Sequence, residues 1–260
     1  MTDSVDECDP KAAGKTHLVL IPSYNSGTKL LETVTDALRH SWPVWVVIDG
    51  STDGSGEVLR ALRDEACGLR VIWRKRNGGK GAAVLDGLRA ASLEGYTHVL
   101  VMDGDGQHPA SAIPEFMGLS CLHPMAMILG VPVFDSSAPW LRIVGRQLSN
   151  VFAKLETLGA VGDSLFGFRI YPIAALLETL EASRHMRRFD FDAEAAVRLS
   201  WRGVPAINHK ARVRYFRVAE GGISHYRYGR DNALLVAMHA RLVLGFLTRL
   251  PRLAIRRFKS

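Results

Sequence analysis

Thr97 to Pro109 reads THVLVMDGDGQHP, an apolar run that breaks at Asp103 into two carboxylates spaced i, i+2 among glycines. The run is too short for a core helix and is closed by Gly and Pro. It therefore predicts a buried strand over Thr97–Met102 with the acids at its carboxyl end. Three earlier runs have the same form. HLVLIP (His17–Pro22) leads into Ser23-Tyr24-Asn25, VWVVI (Val44–Ile48) into DGSTDGSG, and Leu69–Trp73 towards NGGKG. Between them, Thr28–Arg39 sets Leu30, Leu31, Val34 and Leu38 at helical spacing, and Glu57–Asp64 and Ala82–Ala91 read as further helices. Fully apolar strands alternating with helices predict an α/β fold, with a mostly parallel central sheet and helices on both faces. Ligands of such sheets bind beyond the carboxyl ends of the strands, where the polar clusters of this chain fall.

The second half is less regular. Met125–Phe134 and Leu165–Tyr171 read as strands, Trp140–Leu158, Ala174–Ala182 and Ala193–Trp201 as helices, and Arg212–Phe216 as an edge strand. With 260 residues, 47% apolar and 23% charged, the chain can bury a core without staples. That composition excludes a disordered, collagen-like or disulfide-framework protein. Cys8, Cys67 and Cys121 are odd in number and lack C-x-x-C spacing, so reduced thiols in a cytosolic setting are expected. The expected organisation is a loose acidic tail over 1–15, one domain over 16–228 and a basic C-terminal segment over 229–260. The acidic start MTDSVDECDP is unlike a signal peptide. No segment reaches the ~18–20 uninterrupted apolar residues of a membrane span.

Charge is distributed unevenly. Arg198–Ser260 holds 14 basic and 2 acidic residues, against 19 basic and 24 acidic before it. From Asn232 onward there is no acid. At 100° per residue, Arg241, Arg249, Arg252, Arg256 and Lys259 fall within about 80° of one another, with Leu242, Val243, Phe246, Leu247, Leu250 and Leu253 on the remaining surface. This pattern fits a basic amphipathic helix on an anionic membrane surface, split into two at Pro251. A C-terminal helix packed on the core with solvated arginines is the competing reading. A nucleic-acid-binding module would instead interleave aromatics with Arg across the fold, so no nucleic acid is expected.

Asp103 and Asp105 suit a hard divalent cation whose shell a diphosphate completes, or else a polar turn that caps the helix after Pro109. An EF-hand is excluded, because His108 and Pro114 stand where Gly and Glu are needed. Asp49–Ser55 reads as a turn and helix cap, or as a loop that presents Asp49 to a base or ribose. Asn77-Gly78-Gly79-Lys80-Gly81 departs from a Walker A loop, yet a glycine turn opening a helix can still meet a phosphate. In Phe189-Asp190-Phe191-Asp192-Ala193-Glu194, Asp192 is either a general base for an acceptor hydroxyl or a helix cap. Gly221-Gly222-Ile223-Ser224-His225 reads as a lid or phosphate clamp, or as an ordinary loop.

Together and in order, these motifs resemble the family-2 glycosyltransferases of GT-A fold, most closely the dolichyl-phosphate-mannose-synthase-like branch. Ile21-Pro22-Ser23-Tyr24-Asn25 resembles the family's IP-x-YN and Asp49–Asp53 its DDGSTD. Asn77–Ala82 resembles N-x-GKG-A, and Met102–Pro109 resembles MDADLQHPP. Phe166-Gly167-Phe168-Arg169 resembles its GFR, and Phe191–Glu194 its F-x-x-E. The likeness covers roughly Thr16–Asp231. The C-terminal half resembles a bacterial subgroup encoded beside lipid acyltransferases in aryl-polyene-type clusters.

The resemblance implies inverting sugar transfer from a nucleotide-sugar donor (UDP- or GDP-linked), assisted by Mg or Mn, to a lipid or lipid-phosphate acceptor. It implies metal ligation by Asp103, Asp105 and Gln107, and catalytic roles for Asp105 and Asp192. It implies donor contacts at Pro22, Tyr24, Asn25, Asp49, Lys80, Asp103, Gly104, Arg169 and His225. The expected location is cytoplasmic and peripheral on the inner membrane, and a homo-oligomer is compatible with it. Ile48 replaces the first acid of DDGS, Ser26 a glutamate, Pro132 an arginine, and Ser224-His225 a Ser-Lys, so Arg214, Arg217 or His225 would serve as phosphate clamps. A nucleotidyltransferase would need a glycine-rich loop after the first strand, which Pro22–Asn25 does not supply. A degenerate scaffold would not keep Asp103, Asp105 and Gln107 together.

Overall fold

The computed structural model describes residues 16–65, 68–134, 140–213 and 228–259. The tail over 1–15, the GGISH turn, His225, Arg214 and Arg217 lie outside them. Seven strands form one sheet: β1 (His17–Ser23), β2 (Val44–Asp49), β3 (Leu69–Arg74), β4 (His98–Val101), β5 (Met127–Val133), β6 (Arg169–Pro172) and β7 (Ala206–Arg212). Their order is β3-β2-β1-β4-β6-β5-β7. All pairs are parallel except those made by β6, which runs antiparallel to β4 and β5.

Every residue of β1, β2 and β4 is buried, as continuous apolar runs require in a sheet covered on both faces. The helices are α1 (Lys29–Leu38), α2 (Val58–Glu65), α3 (Lys80–Leu93), α4 (Ile113–Leu122), α5 (Trp140–Glu156), α6 (Ile173–Glu181), α7 (Phe191–Arg202) and α8 (Tyr228–Lys259). One core lies between the sheet and α3, α6, α7 and α8. The other lies between the sheet and α1, α2 and α4. The chain leaves β1 for β2 on one side and leaves β4 for β5 on the other, so the ligand crevice of this topology opens between the ends of β1 and β4.

Three expectations need correcting. The strand expected over Leu165–Tyr171 begins only at Arg169, because the Asp163 carboxylate accepts the N–H groups of Leu165 (3.0 Å) and Phe166 (2.7 Å) and turns the chain there. An edge strand lies at Ala206–Arg212, where seven residues pair in parallel with Met127–Val133, and positions 214–216 of the strand expected over Arg212–Phe216 lie outside the described residues. Cys121 is disulfide-bonded, against the expectation of reduced thiols. Finally, α8 runs through Pro251 as one helix. The bond Pro251 cannot donate would go to Leu247, on an exposed side of the helix where water reaches the freed carbonyl.

The α8 helix also turns its basic stripe differently from the expectation. Arg241 Nη2 pairs with the fully buried Glu194 at 3.1 Å, the Arg249 guanidinium lies 4.9 Å from the Trp201 ring centre, and Arg256 Nη1 donates to the Trp201 carbonyl at 3.2 Å. Leu242 and Phe246 are buried. The side facing away from the body is apolar, with Val236, Leu244, Leu247 and Ile255 all more than half exposed. By length and composition Gly229–Arg256 is apolar enough to cross a bilayer, because mean hydropathy tolerates the few charges, Arg241 among them, that an uninterrupted run does not.

Candidate active site

Three loops at the β1, β2 and β3 ends are stitched to one another. Asn25 takes a left-handed conformation (φ 47°), its N–H donates to Ser51 Oγ, and its Oδ1 accepts the Thr52 N–H at 2.8 Å. Gly27 N–H donates to Asp53 Oδ2 at 2.9 Å. Asp49, the last residue of β2, is buried and accepts the N–H groups of Gly78 (3.0 Å) and Gly79 (2.8 Å) as well as Arg74 Nη1. Both of its oxygens are thus engaged in shaping the glycine turn. Gly50 makes this approach possible: it has φ +68°, and a Cβ there would stand 2.6 Å from Asn77 N. Pro22 is buried within β1 beside Val47, while Tyr24 is half-buried where β1 ends.

The turn opens α3 with Lys80, whose Nζ lies 2.7 Å from Asp103 Oδ1 and 2.7 Å from Asp192 Oδ2. One ammonium therefore joins the acids at the end of β4 to the first turn of α7. Burial opposes its charge, but the two carboxylates outweigh burial and raise its pKa. Burial alone would raise the Asp103 carboxyl, yet Lys80 holds it below the usual carboxylate range. Asp105 is different. Burial and the neighbouring Asp103 charge push it up to about 7, although it accepts the Gln107 N–H at 3.0 Å. Burial raises Asp192 against the pull of Lys80, and its Oδ1 is buried with no partner. Gly104 is buried against Ile21, Ser23 and Leu30, with room for no more than backbone.

Two residues that sequence reasoning left without a role complete the cluster. His108 is buried edge-on to Phe166 and Phe168. Its Nδ1 accepts the Asp103 N–H at 2.9 Å, and its Nε2 lies 3.6 Å from Asp103 Oδ2. Burial drives its pKa down to about 4, so it is neutral and carries its proton on Nε2, facing Asp103. Gly167 packs so closely that a Cβ would collide with Lys80 Nζ and stand 3.0 Å from Asp103 Oδ2. His108 stood inside the quoted motif, and Gly167 inside FGFR. The signal that was missed is that a neutral imidazole and a missing side chain can support acids as well as a charge can. Arg169 is fully buried, donating to the carbonyls of Asp163 (2.8 Å) and Asp192, so no exposed atom of it faces a donor. Asp190 holds the N–H groups of Met186 and Arg188 and makes no side-chain cap to α7.

Among the described residues no cluster of three or more His, Cys, Asp or Glu side chains is poised to close around a metal alone. Asp103 and Asp105 supply hard oxygen donors, and the cost of ionising Asp105 beside Asp103 is what a divalent cation removes. The pair fits a half-site that external oxygens would complete.

A relative from Mycolicibacterium smegmatis, polyprenol monophosphomannose synthase, is 29% identical over 178 residues, 63% of this chain and 64% of that protein. The chain thus spans just under two thirds of that relative's length. Among solved structures, glucosyl-3-phosphoglycerate synthase from Mycobacterium tuberculosis, in complex with Mn2+, UDP-glucose and phosphoglyceric acid, superposes with a TM-score of 0.62 at 20% identity, covering 95% of this chain and 83% of that one. A mannosyltransferase from Pyrobaculum calidifontis, in complex with GDP-mannose and Mn2+, gives 0.56 at 19% identity, covering 92% and 73%. These likenesses show the GT-A fold. Residues 18–178 match the Glycosyl transferase family 2 domain, more than half of the chain, and the protein belongs to that family.

Proposed function

We propose that this chain transfers a sugar, with inversion, from a nucleoside-diphosphate sugar to a lipid-linked phosphate at a membrane surface. The observation that carries the reading is Lys80, which holds Asp103 and Asp192 on one ammonium at the crevice between β1 and β4. In the family likeness the first acid belongs to the donor side and the second to the acceptor side. A divalent cation, Mg or Mn, held by Asp103 and Asp105 would offset charge on the departing diphosphate. Gln107 supports this pair through its N–H on Asp105.

The acceptor phosphate oxygen forms the new bond to the anomeric carbon as the bond from that carbon to the β-phosphate oxygen breaks. A phosphate acceptor is already anionic and needs no base. Asp192 then orients the acceptor through Lys80, whose ammonium is the cation beside which that anion would settle. For a hydroxyl acceptor, the unpartnered Asp192 Oδ1 with its raised pKa would take the proton. The relative's name, a polyprenol monophosphate sugar synthase, favours the phosphate. The outward apolar side of α8, with Leu244 and Leu247 exposed, is the surface we assign to the bilayer, where a lipid acceptor would be met.

The test is thermal unfolding of the full chain with UDP or GDP, with and without Mn. A ligand that binds only the folded state raises the Tm, by about 2.7 kcal/mol of stability at a hundred times its Kd. A Mn-dependent rise with one of the two nucleotides is expected. No rise with either, at millimolar ligand and with or without anionic vesicles, overturns the reading.

A further inference from the structure

Four buried side-chain polar atoms among the described residues have no partner: Glu156 Oε2, Arg169 Nε, Asp192 Oδ1 and Arg241 Nε. Three of them lie along one polar path from α8 to Asp192, and the fourth, Arg241 Nε, belongs to the pair that α8 makes with Glu194. On α8, His239 bridges two residues of α5, with Nδ1 2.9 Å from Glu156 Oε1 and Nε2 2.8 Å from Ser149 Oγ. Ser149 Oγ accepts from Ser164 Oγ at 2.9 Å, and the Ser164 backbone N–H donates to Asn150 Oδ1 at 2.7 Å. Asn150 Nδ2 donates to Asp163 Oδ2 at 2.9 Å. The Asp163 carbonyl accepts Arg169 Nη2 at 2.8 Å, and Arg169 Nη1 donates to the carbonyl of Asp192. Asp163 also holds the N–H groups of Leu165 and Phe166, just before the Gly167 that lies against Lys80 and Asp103. Two residues beyond Asp192, Glu194 is gripped from α8 by Arg241.

An apolar contact between α5 and α8 would hold the two helices at least as firmly, because a partly satisfied buried polar network is costly. What such a network supplies instead is a fixed geometry. Ser149, His239 and Glu156 have the connectivity of a serine–histidine–carboxylate relay. Ser149, however, sits inside a helix, buried, with its oxygen taken by Ser164, so the arrangement is a strut and not a nucleophile.

We propose that His239 is a positioning residue: it carries the seating of α8 through Ser149, Asp163 and Arg169 to Asp192 and the Gly167 turn. The helix assigned to the membrane thereby sets the acceptor side of the site. The kinetic part of this inference rests on the transferase reading, while its structural part does not.

The experiment compares the full chain with Ser149→Ala, His239→Gln and His239→Leu. Amide hydrogen exchange reads the structure. Ser149→Ala removes one hydroxyl and leaves the packing nearly intact. Exchange at Leu165 and Phe166 is expected to rise at least three-fold in it, with β1 and β2 unchanged. Steady-state transfer reads the consequence. In His239→Leu, kcat is expected to fall about ten-fold with the donor KM within two-fold. His239→Gln, which keeps a donor and an acceptor, is expected to recover most of that loss. Exchange rising only within α5 and α8 would overturn the proposal, as would Gln and Leu variants losing kcat equally. A wild-type chain without transfer activity would sink the transferase reading alone, and the exchange result would still decide this one.

Discussion

Asp105 is a residue whose ionisation the site resists. Burial and the Asp103 charge raise its carboxyl to about 7, above the usual carboxylate range, so the fold favours its protonated form. Stability from that form is present at low pH and is lost as pH rises towards about 7. Relative to Asp105→Asn, the wild-type chain should lose stability between about pH 4 and pH 7 and level off above, read by unfolding midpoints at matched pH. The comparison cancels His108, whose pKa of about 4 gives an opposite slope over part of the same window. Cation binding must displace the same proton, so Mn affinity should rise close to ten-fold per pH unit below 7 and flatten above it, measured by calorimetry. A flat profile would show that Asp105 is ionised without the metal. Gly167 gives a steric test. Gly167→Ala places a methyl group against Lys80 and Asp103, and a displacement of about 1 Å at such a site is expected to cost about a hundred-fold in kcat. Circular dichroism should show the fold retained.

At the scale of elements, the strands were the most legible. β1, β2 and β4 were found from apolar runs alone, because strands buried on both faces leave no polar residue to confuse the pattern. Most of β7 is not legible in the sequence because an edge strand alternates only weakly, and its pairing with β5 is a long-range fact that no local pattern holds. The acids and glycines of the site were legible as residue types at strand ends, but their partners were not. That Asp49 would spend both oxygens on a glycine turn depends on chain paths nearly thirty residues apart. The α8 helix shows the same limit. Its one-sided arginines were visible in sequence, but Glu194 and Trp201, which receive three of them, are set by the packing of α7. The apolar stripe, not the basic one, is the side left exposed, and it is the surface proposed for a bilayer. Leu244→Glu with Leu247→Glu should cut flotation with liposomes at least ten-fold. These exposed sites should change folding stability by no more than about 1 kcal/mol in sum. Undiminished flotation would place the membrane contact elsewhere.

On the scale of the whole molecule, the sheet order puts the ends of β1, β2 and β4 around one crevice, α7 reaches it through Asp192 on Lys80, and α8 packs on α5 and α7. The acidic-to-neutral body and basic C-terminal part seen in the composition become two working parts: a crevice that concentrates carboxylates, and a helix that ties a candidate membrane surface to it. The account stands on transfer itself. Full-length protein would be incubated with Mn, undecaprenyl phosphate in anionic vesicles and a panel of radiolabelled UDP- and GDP-hexoses, and label would be counted in the butanol-extracted lipid. The account predicts lipid-borne label from one donor, abolished by chelation and reduced about a hundred-fold or more by Asp105→Asn. Undiminished label in Asp105→Asn, or none from any donor with a chain that binds nucleotide and Mn, would contradict it.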